Sequence, residues 1–399
     1  MNLLRSERLA SVLLLAAAVL GLLIANLPFG PSVIGLMDAH IPMPWIGLDL
    51  SIDHWISDGL LAIFFFVVAV ELKRELVIGE LNSLSKALLP TIAAIGGVIV
   101  PALIYLAFTI GTDTTEGWPI PTATDIAFAL GVLAVFGRWI PTRVRVFLLA
   151  LAVIDDLIAI LIIAFFFTTD ADLAALGFAA ITVALFGAVS RLLKPRSEWI
   201  LRRRPQWPVA VVLWALAVLT WYFVYQSGVH ATIAGVVLGL VMARRPGGRA
   251  AHDLEPWSNG VVLPLFAFSA AMVVIPQVHP RELDPAFWGI LVGLPVGKLV
   301  GIILAGGVGL LVARRRTGVP LTIGDLATVG ALGGIGFTVS LLMNELAFAG
   351  KGEVIDLGTL AVLLGSGIAI VASAILVSVR SRQYRAAGAQ PGTGGAFAH

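Results

Sequence analysis

The sequence has no cysteine and little charge. The absence of Cys among its 399 residues excludes disulfide bonds, thiol catalysis and cysteine-ligated metal sites. Only 13% of the residues are Asp, Glu, Lys or Arg, whereas a soluble globular domain carries about 25%. The hydrophobic share of 59% and the 42 glycines instead fit a bundle of helices in lipid, where glycine is common. The composition therefore predicts an all-α, polytopic membrane protein.

Apolar stretches long enough to cross a bilayer, about 20 residues each, recur along the whole chain. We count about twelve of them, which predicts about twelve transmembrane helices. They lie near residues 9–27, 55–72, 87–110, 119–137, 144–168, 172–193, 209–225, 229–243, 257–277, 286–313, 323–347 and 355–379. An even number of spans puts both termini on the same side of the membrane.

The basic residues are distributed very unevenly between the two sides. Nearly all of the 26 Lys and Arg residues fall in loops that the twelve spans place on the side of the termini. The opposite side holds Arg281 and Lys351, and Lys298 lies inside a span. Because cytoplasmic loops are rich in Lys and Arg, both termini are predicted to be cytoplasmic.

Residues 1–385 are expected to form one transmembrane domain within the lipid bilayer. Between the first two spans, segment 36–54 carries Pro42, Pro44 and Gly47 among alternating apolar residues, which is typical of a hairpin or loop. The topology puts this segment outside the cell, where we expect it to join two copies of the chain in a homodimer. The tail 386–399 is rich in Gly and Ala and is predicted to be disordered.

Two spans, the fourth and the eleventh, contain residues that interrupt helices. Such residues are tolerated at membrane depth only where the backbone is buried or lines a cavity, and a matched pair of interrupted spans indicates a transporter's binding site. Alternatively, the glycines only allow close helix packing, which would not explain a carboxylate beside the first break. The interrupting residues are Pro119, Pro121, Thr122 and Thr124 before Asp125, and Gly330, Gly333, Gly334, Gly336 and Thr338.

Four ionisable side chains lie near the middle of spans: Asp125, Asp155, Asp156 and Lys298. Burying such a group in the membrane is costly, by roughly 2.5 kcal/mol or more, so each is a functional candidate. Asp155 and Asp156 are adjacent on one helix and point about 100° apart. One can therefore face a cavity while the other faces a neighbouring helix.

Lys298 is the only basic residue deep enough to pair with these carboxylates. It lies on a helix face where Gly293, Gly297 and Gly301 recur at every fourth position, so that another helix can approach closely. A purely structural salt bridge is the alternative interpretation. One lysine cannot neutralise three carboxylates, however, so the surplus negative charge needs cations or protons.

Carboxylate and hydroxyl oxygens suit hard cations, and no histidine or cysteine close in sequence indicates a transition metal. A site that takes either protons or a small cation is sufficient for an antiporter. The half-helix ends left by the two breaks would add opposing dipoles around it. No cofactor is expected beyond the transported ions.

At these residues the chain resembles the NhaA family of bacterial sodium/proton antiporters. The similar stretches run from the second span to the eleventh and include the Thr-Asp motif at 124–125 and the Asp-Asp motif at 155–156. They are residues 70–76, 92–103, 124–134, 152–157, 227–232, 263–268, 297–301 and 334–338. The resemblance implies inverted repeats, two interrupted helices crossing at mid-membrane, a location in the bacterial inner membrane, and pH-regulated, electrogenic exchange of cytoplasmic Na⁺ or Li⁺ for external protons by alternating access.

The resemblance also implies roles for individual residues. Asp156 would be the main sodium ligand, and Asp155 and Thr124 would be the other Na⁺ contacts. Asp155 would also pair with Lys298. Thr124 and Asp125 would lie where the interrupted helices cross, with Asp125 offsetting the helix-end dipoles.

A pH-responsive region is implied at Glu71 and His230, although a polar cap on the eighth span is the simpler interpretation of His230. The family's best-known members have two histidines in the loop before the ninth span. This chain has His252 and Glu255 there, so the pH midpoint does not carry over.

Two other functions use similar residues. An intramembrane aspartyl protease needs two aspartates on facing helices, one of them in a Gly-x-Gly-Asp turn, but Phe337 follows the Gly-Ile-Gly turn here. A cation-coupled symporter of organic anions on a related fold is the nearer alternative. Lys298 and the acidic pair favour exchange of small cations.

Overall fold

The computed structural model describes residues 7–79, 81–167, 171–193, 207–275, 283–313 and 321–387, and over these residues the chain is mostly helical. Arg281 and nearly all of the tail 386–399 lie outside this part. In chain order the helices are α1 (Glu7–Ala25), α2 (Gly30–Met37), α3 (Ile52–Val77), α4 (Leu84–Thr109), α5 (Ile126–Phe136), α6 (Thr142–Phe166), α7 (Leu173–Ser190), α8 (Trp207–Gln226), α9 (Thr232–Val241), α10 (Arg244–Trp257), α11 (Leu263–Ala270), α12 (Pro285–Val292), α13 (Lys298–Ala313), α14 (Ile323–Gly333), α15 (Phe337–Ala347) and α16 (Gly352–Ala386).

Several helices are long and apolar enough to cross a membrane. Within the described residues there are eight of them, or ten if each of two bent helix pairs counts as one span. The bent pairs are α1 with α2, at 117°, and α14 with α15, at 52°. The chain is therefore a polytopic membrane protein, and the number twelve stays a prediction.

The two remaining predicted spans, 229–243 and 257–277, correspond to shorter helices. Helix α9 has only 10 residues, because its C-cap Met242 has extended backbone with ψ 139°. The second stretch begins as a π-helical segment, Ser258–Val262, and continues as α11 only to Ala270. Apolar residues at the ends of both stretches thus lie outside regular helix.

Segment 36–54 contains a two-stranded antiparallel hairpin. Strand β1 (His40–Met43) pairs with β2 (Leu48–Ser51), with His40 opposite Ser51 and Met43 opposite Leu48. Gly47 closes the turn with φ 66°, a left-handed conformation that glycine adopts without strain. Leu48 and Leu50 are buried, whereas Trp45 at the tip is 78% exposed.

The helix that carries Lys298 packs closely on α4. A π-helical segment, Gly293–Gly297, joins α12 to α13. A Cβ at Gly297 would lie 2.7 Å from the Cα of Pro101, and one at Gly301 would overlap the carbonyl oxygen of Gly96. Only glycine permits this backbone-to-backbone approach. It lets α13 bury Lys298 completely, with 0% of the residue exposed.

Candidate functional site

Two helix interruptions lie against each other in the interior. Pro119 and Pro121 precede three extended residues that end at Asp125, and Gly334 and Gly336 separate α14 from α15. The backbone N–H of Asp125 donates a hydrogen bond to Ile335 O at 2.6 Å. Polar groups freed by one break are therefore satisfied by the other.

Side-chain hydroxyls extend this contact on both sides of the breaks. Thr124 Oγ1 donates to the carbonyl oxygen of Gly333, the last residue of α14, at 2.7 Å. Ser340 Oγ in the first turn of α15 donates to Ile120 O at 2.8 Å. All four residues are buried, so these bonds form in a dry region.

Asp125 caps two helices at once. Its Oδ1 accepts a hydrogen bond from the backbone N–H of Phe128 at 3.1 Å, which makes Asp125 the N-cap of α5. Its Oδ2 accepts from the backbone N–H of Thr338 at 3.2 Å and from Thr338 Oγ1 at 2.7 Å, in the first turn of α15. Because helix N-termini carry partial positive charge, one carboxylate here offsets two helix dipoles.

Asp155 and Lys298 form a buried ion pair. Lys298 Nζ donates to Asp155 Oδ2 at 2.6 Å, and the two side chains are 0% and 1% exposed. The other carboxylate oxygen, Asp155 Oδ1, is buried without a hydrogen-bond partner among the described residues. A buried carboxylate oxygen without a donor is a ready ligand for a cation or a proton.

Asp156 lies next to this pair on α6 but has a different environment. It is 9% exposed, against 2% for Asp155, and no described residue forms a hydrogen bond or ion pair with its side chain. The nearby charges that act on it are Asp155, Asp125, Lys298 and Glu71. Lys298 is the only positive charge in this set, so the described residues leave a negative surplus at Asp156.

The residues expected to respond to pH are carried by different elements. Glu71 is exposed on α3, and its charge acts on Asp156. His230 is half-buried, with Nε2 3.1 Å from Asp58 Oδ1 and Nδ1 2.6 Å from Thr232 Oγ1 at the start of α9. These contacts fit the simpler interpretation of His230 as a polar cap.

The other two pH candidates lie on α10. His252 is exposed and Glu255 is half-buried. Neither side chain forms a hydrogen bond or ion pair with any described residue. The structure therefore does not bring them into contact with Asp155, Asp156 or Lys298.

Sequence reasoning named Thr338 as one of the residues that interrupt the eleventh span but did not select it as a site residue. Thr338 supplies two of the three donors to Asp125 from 213 residues away. Its place directly after the Gly-Ile-Gly-Phe stretch of the second break was the available signal, since a hydroxyl beside a helix interruption can satisfy groups that the break frees. Among the described residues no three His, Asp or Glu side chains form a closed metal shell.

Comparison with known proteins agrees with this geometry. Residues 1–377 match the family model described as Na⁺/H⁺ antiporter 1. The chain is 61% identical to "Na(+)/H(+) antiporter NhaA 2" of Clavibacter michiganensis, over 97% of this chain and 94% of that protein. It is 46% identical to "Na(+)/H(+) antiporter NhaA" of Tropheryma whipplei strain Twist over the full length of both, and 44% identical to that of Streptomyces antibioticus over 96% of this chain and 79% of the relative.

Proposed function

Since this chain belongs to the Na⁺/H⁺ antiporter 1 family and is a sodium/proton antiporter, we propose that Asp156, with Asp155 and Thr124, binds the Na⁺ or Li⁺ that it exchanges for protons. The chain is a secondary transporter and not an enzyme, and its transported ions are Na⁺ and H⁺. The protease and the organic-anion symporter are thereby set aside.

The decisive feature is the contrast between two adjacent carboxylates. Asp155 has a lysine partner at 2.6 Å, whereas Asp156 has none among the described residues and is the more accessible of the two. A buried charge without a partner is costly, so Asp156 recruits either a proton or a cation. Because one site holds only one of them at a time, Na⁺ binding displaces protons. Binding from alternate sides of the membrane then couples the two fluxes.

The contacts between the breaks support a framework for this exchange. We infer that the fourth and eleventh of twelve spans are the interrupted helices, that they belong to inverted repeats, and that they cross at mid-membrane around Asp125. Thr124 belongs to the same framework through its bond to Gly333 O. Half-helices meeting at an ion site can tilt without breaking a continuous helix, which suits alternating access.

Regulation and placement follow the family resemblance. Exchange is proposed to be electrogenic, to move Na⁺ outward across the bacterial inner membrane with both termini cytoplasmic, and to be regulated by pH. Glu71, which acts on Asp156 through its charge, is the pH-response residue with a direct electrostatic link to the site. His230, His252 and Glu255 would act more remotely.

We test the site with Asp156→Asn, which keeps the size of the side chain and removes its charge. Sodium-driven proton flux in proteoliposomes is expected to fall by at least about 100-fold, because an amide neither neutralises Na⁺ nor carries the exchanged proton. Asp253→Asn is the matched control, since Asp253 is exposed on α10 and its side chain forms no hydrogen bond or ion pair with a described residue. Wild-type flux in Asp156→Asn would refute the assignment.

A further inference from the structure

Asp325, in the first turn of α14, is completely buried, and several donors converge on its carboxylate. Arg380 Nε, on α16, donates to Oδ1 at 2.9 Å, and the Tyr384 hydroxyl lies 2.8 and 2.9 Å from the two oxygens. Within α14 itself, Asp325 and Thr322 form a capping box. Arg380 Nη2 also donates to Thr322 Oγ1. The start of α14 is thus held firmly by the last turns of α16.

The same turns of α16 hold the end of α5. The backbone N–H of Trp139, three residues beyond α5, donates to Ser381 Oγ at 3.2 Å. Arg143, in the first turn of the following helix α6, donates from Nη2 to the Tyr384 hydroxyl at 3.4 Å, and the Arg380 guanidinium lies 4.6 Å from the centre of the Tyr384 ring. We call Arg380, Ser381 and Tyr384 the α16 clamp.

Helices α5 and α14 reach the candidate ion site with their opposite ends. Helix α5 begins at its N-cap Asp125, and α14 ends at Gly333, whose carbonyl oxygen accepts from Thr124. Each has 11 residues, or about 16 Å of helix. A pivot of about 4° at the clamped end would therefore move the end at the site by about 1 Å.

At an interruption, the backbone hydrogen bonds of the helix do not continue from one half-helix to the other. The orientation of a half-helix depends on what holds each end, and the clamp holds both half-helices through one short segment of α16. We propose that Arg380 and Tyr384 are positioning residues for the ion site: they fix the remote end of α14, beside the end of α5 that Ser381 holds, so that Thr124, Gly333 and Asp125 keep a geometry that binds Na⁺. This inference rests on the proposed function of that site.

The test measures sodium-driven proton flux in proteoliposomes over a series of Na⁺ concentrations. Arg380→Gln should raise the apparent KM for Na⁺ by about tenfold, the size of effect typical of groups that orient the ligands of an ion. The maximal rate at saturating Na⁺ should change much less, because Asp155, Asp156 and Lys298 are untouched. Arg380→Lys should recover only part of the affinity, since an ammonium lacks the forked geometry that reaches both Asp325 and Thr322.

Arg382→Gln is the matched control. It makes the same charge change in the same turn of α16, but Arg382 is exposed and its side chain forms no hydrogen bond or ion pair with a described residue. Its KM for Na⁺ should equal that of the wild type. Tyr384→Phe removes only the hydroxyl and is the milder variant, so it decides the question if Arg380→Gln does not fold. It should raise KM by a smaller factor than Arg380→Gln does.

Thermal unfolding separates positioning from mere stabilisation. If Arg380→Gln, or Tyr384→Phe in its place, lowers the unfolding temperature while the KM for Na⁺ stays at the wild-type value, the clamp only stabilises the fold and the inference is wrong. Asp156→Asn, measured in parallel, keeps the two proposals apart. Wild-type transport by Asp156→Asn refutes the ion site. Loss of transport in Asp156→Asn, together with an unchanged KM for Na⁺ in the Arg380 and Tyr384 variants, refutes the clamp alone.

Discussion

Asp155 and Lys298 show how one residue pair can hold charge inside the membrane. Removing both groups from water is costly, and the 2.6 Å contact offsets that cost only while both partners are present. Asp155 Oδ1 has no hydrogen-bond partner among the described residues, so the pair is not fully compensated. The two side chains therefore behave as one unit, whose protons belong to the pair and not to either residue.

The pair makes a prediction about stability. Lys298→Gln and Asp155→Asn should each destabilise the protein by about 3–5 kcal/mol, because each leaves a buried charge alone. The double variant should recover much of that loss, since neither charge remains. Thermal unfolding of the two single variants and the double variant measures the coupling. Simple additivity of the two losses would show that the pair does not interact.

An exposed ion pair with the same N···O distance provides the comparison. Lys351 Nζ lies 2.6 Å from Glu116 Oε1, but these side chains are 35% and 50% exposed. The hydrogen bond to Glu116 raises the pKa of Lys351, so Lys351 stays protonated over the usual pH range. Exposed pairs contribute at most about 1 kcal/mol. In thermal unfolding, the losses of stability in Lys351→Gln and Glu116→Gln should accordingly add almost independently in the double variant.

At the scale of elements, residues that disfavour regular helix can be read from the sequence, but the contacts they make could not be predicted. Proline lacks an N–H and glycine tolerates irregular backbone, so Pro119, Pro121, Gly334 and Gly336 mark the interruptions directly. The bond from Thr338 to Asp125 joins residues 213 positions apart. No local sequence pattern encodes this contact, because it depends on how the whole helix bundle packs.

Span lengths show the same limit. An apolar window does not distinguish helical residues from apolar residues in an extended connection, and both Val229 and Met242 fall outside α9. Asp325 is a further example. Its capping role can be read from its spacing to Thr322, whereas its ion pair with Arg380 appears only when α14 and α16 are packed together.

The β1–β2 hairpin is the element that we propose as the dimer contact. A two-stranded hairpin has unpaired edges, and this one exposes Trp45 and Ile41. Replacing residues 41–50 with a short Gly-Ser linker should convert dimers to monomers in detergent, as measured by light scattering. Trp45→Ala should weaken the dimer less, because the strand edges remain.

The Trp207→Ala variant is the control for the hairpin experiment, because Trp207 is also highly exposed, at 69%, but lies at the start of α8, away from the hairpin. It should leave the oligomeric state unchanged. Dimers that persist after the hairpin is removed would place the contact elsewhere.

At the scale of the whole molecule, topology depends on one short helix, α9. Helix α9 is about 15 Å long, half of the roughly 30 Å hydrocarbon layer. The loop before it has no Lys or Arg, whereas Arg244, Arg245 and Arg249 follow it. The positive-inside rule requires the chain to cross the membrane between these two loops despite the short helix.

Truncated fusions to a reporter that is active only in the cytoplasm test this crossing. A fusion after Gly228 should be silent and one after Arg249 should be active. Fusions after Gly111 and after Gly137, on either side of the fourth predicted span, provide matched silent and active controls. Equal activity after Gly228 and Arg249 would show that α9 does not cross and that both termini do not lie on one side.

The double capping by Asp125 sets a limit on energy conversion. Three hydrogen bonds reach its oxygens, so we expect its charge to stay committed to the two helix ends and not to take part in exchange. Asp156 and the Asp155–Lys298 pair remain, which gives a ceiling of two protons for each Na⁺. One net charge per cycle at 100 mV supplies roughly 2.3 kcal/mol, enough for a roughly fifty-fold sodium gradient. The reversal potential of the exchange would measure this ratio directly, and a value above two would mean that Asp125 also carries protons.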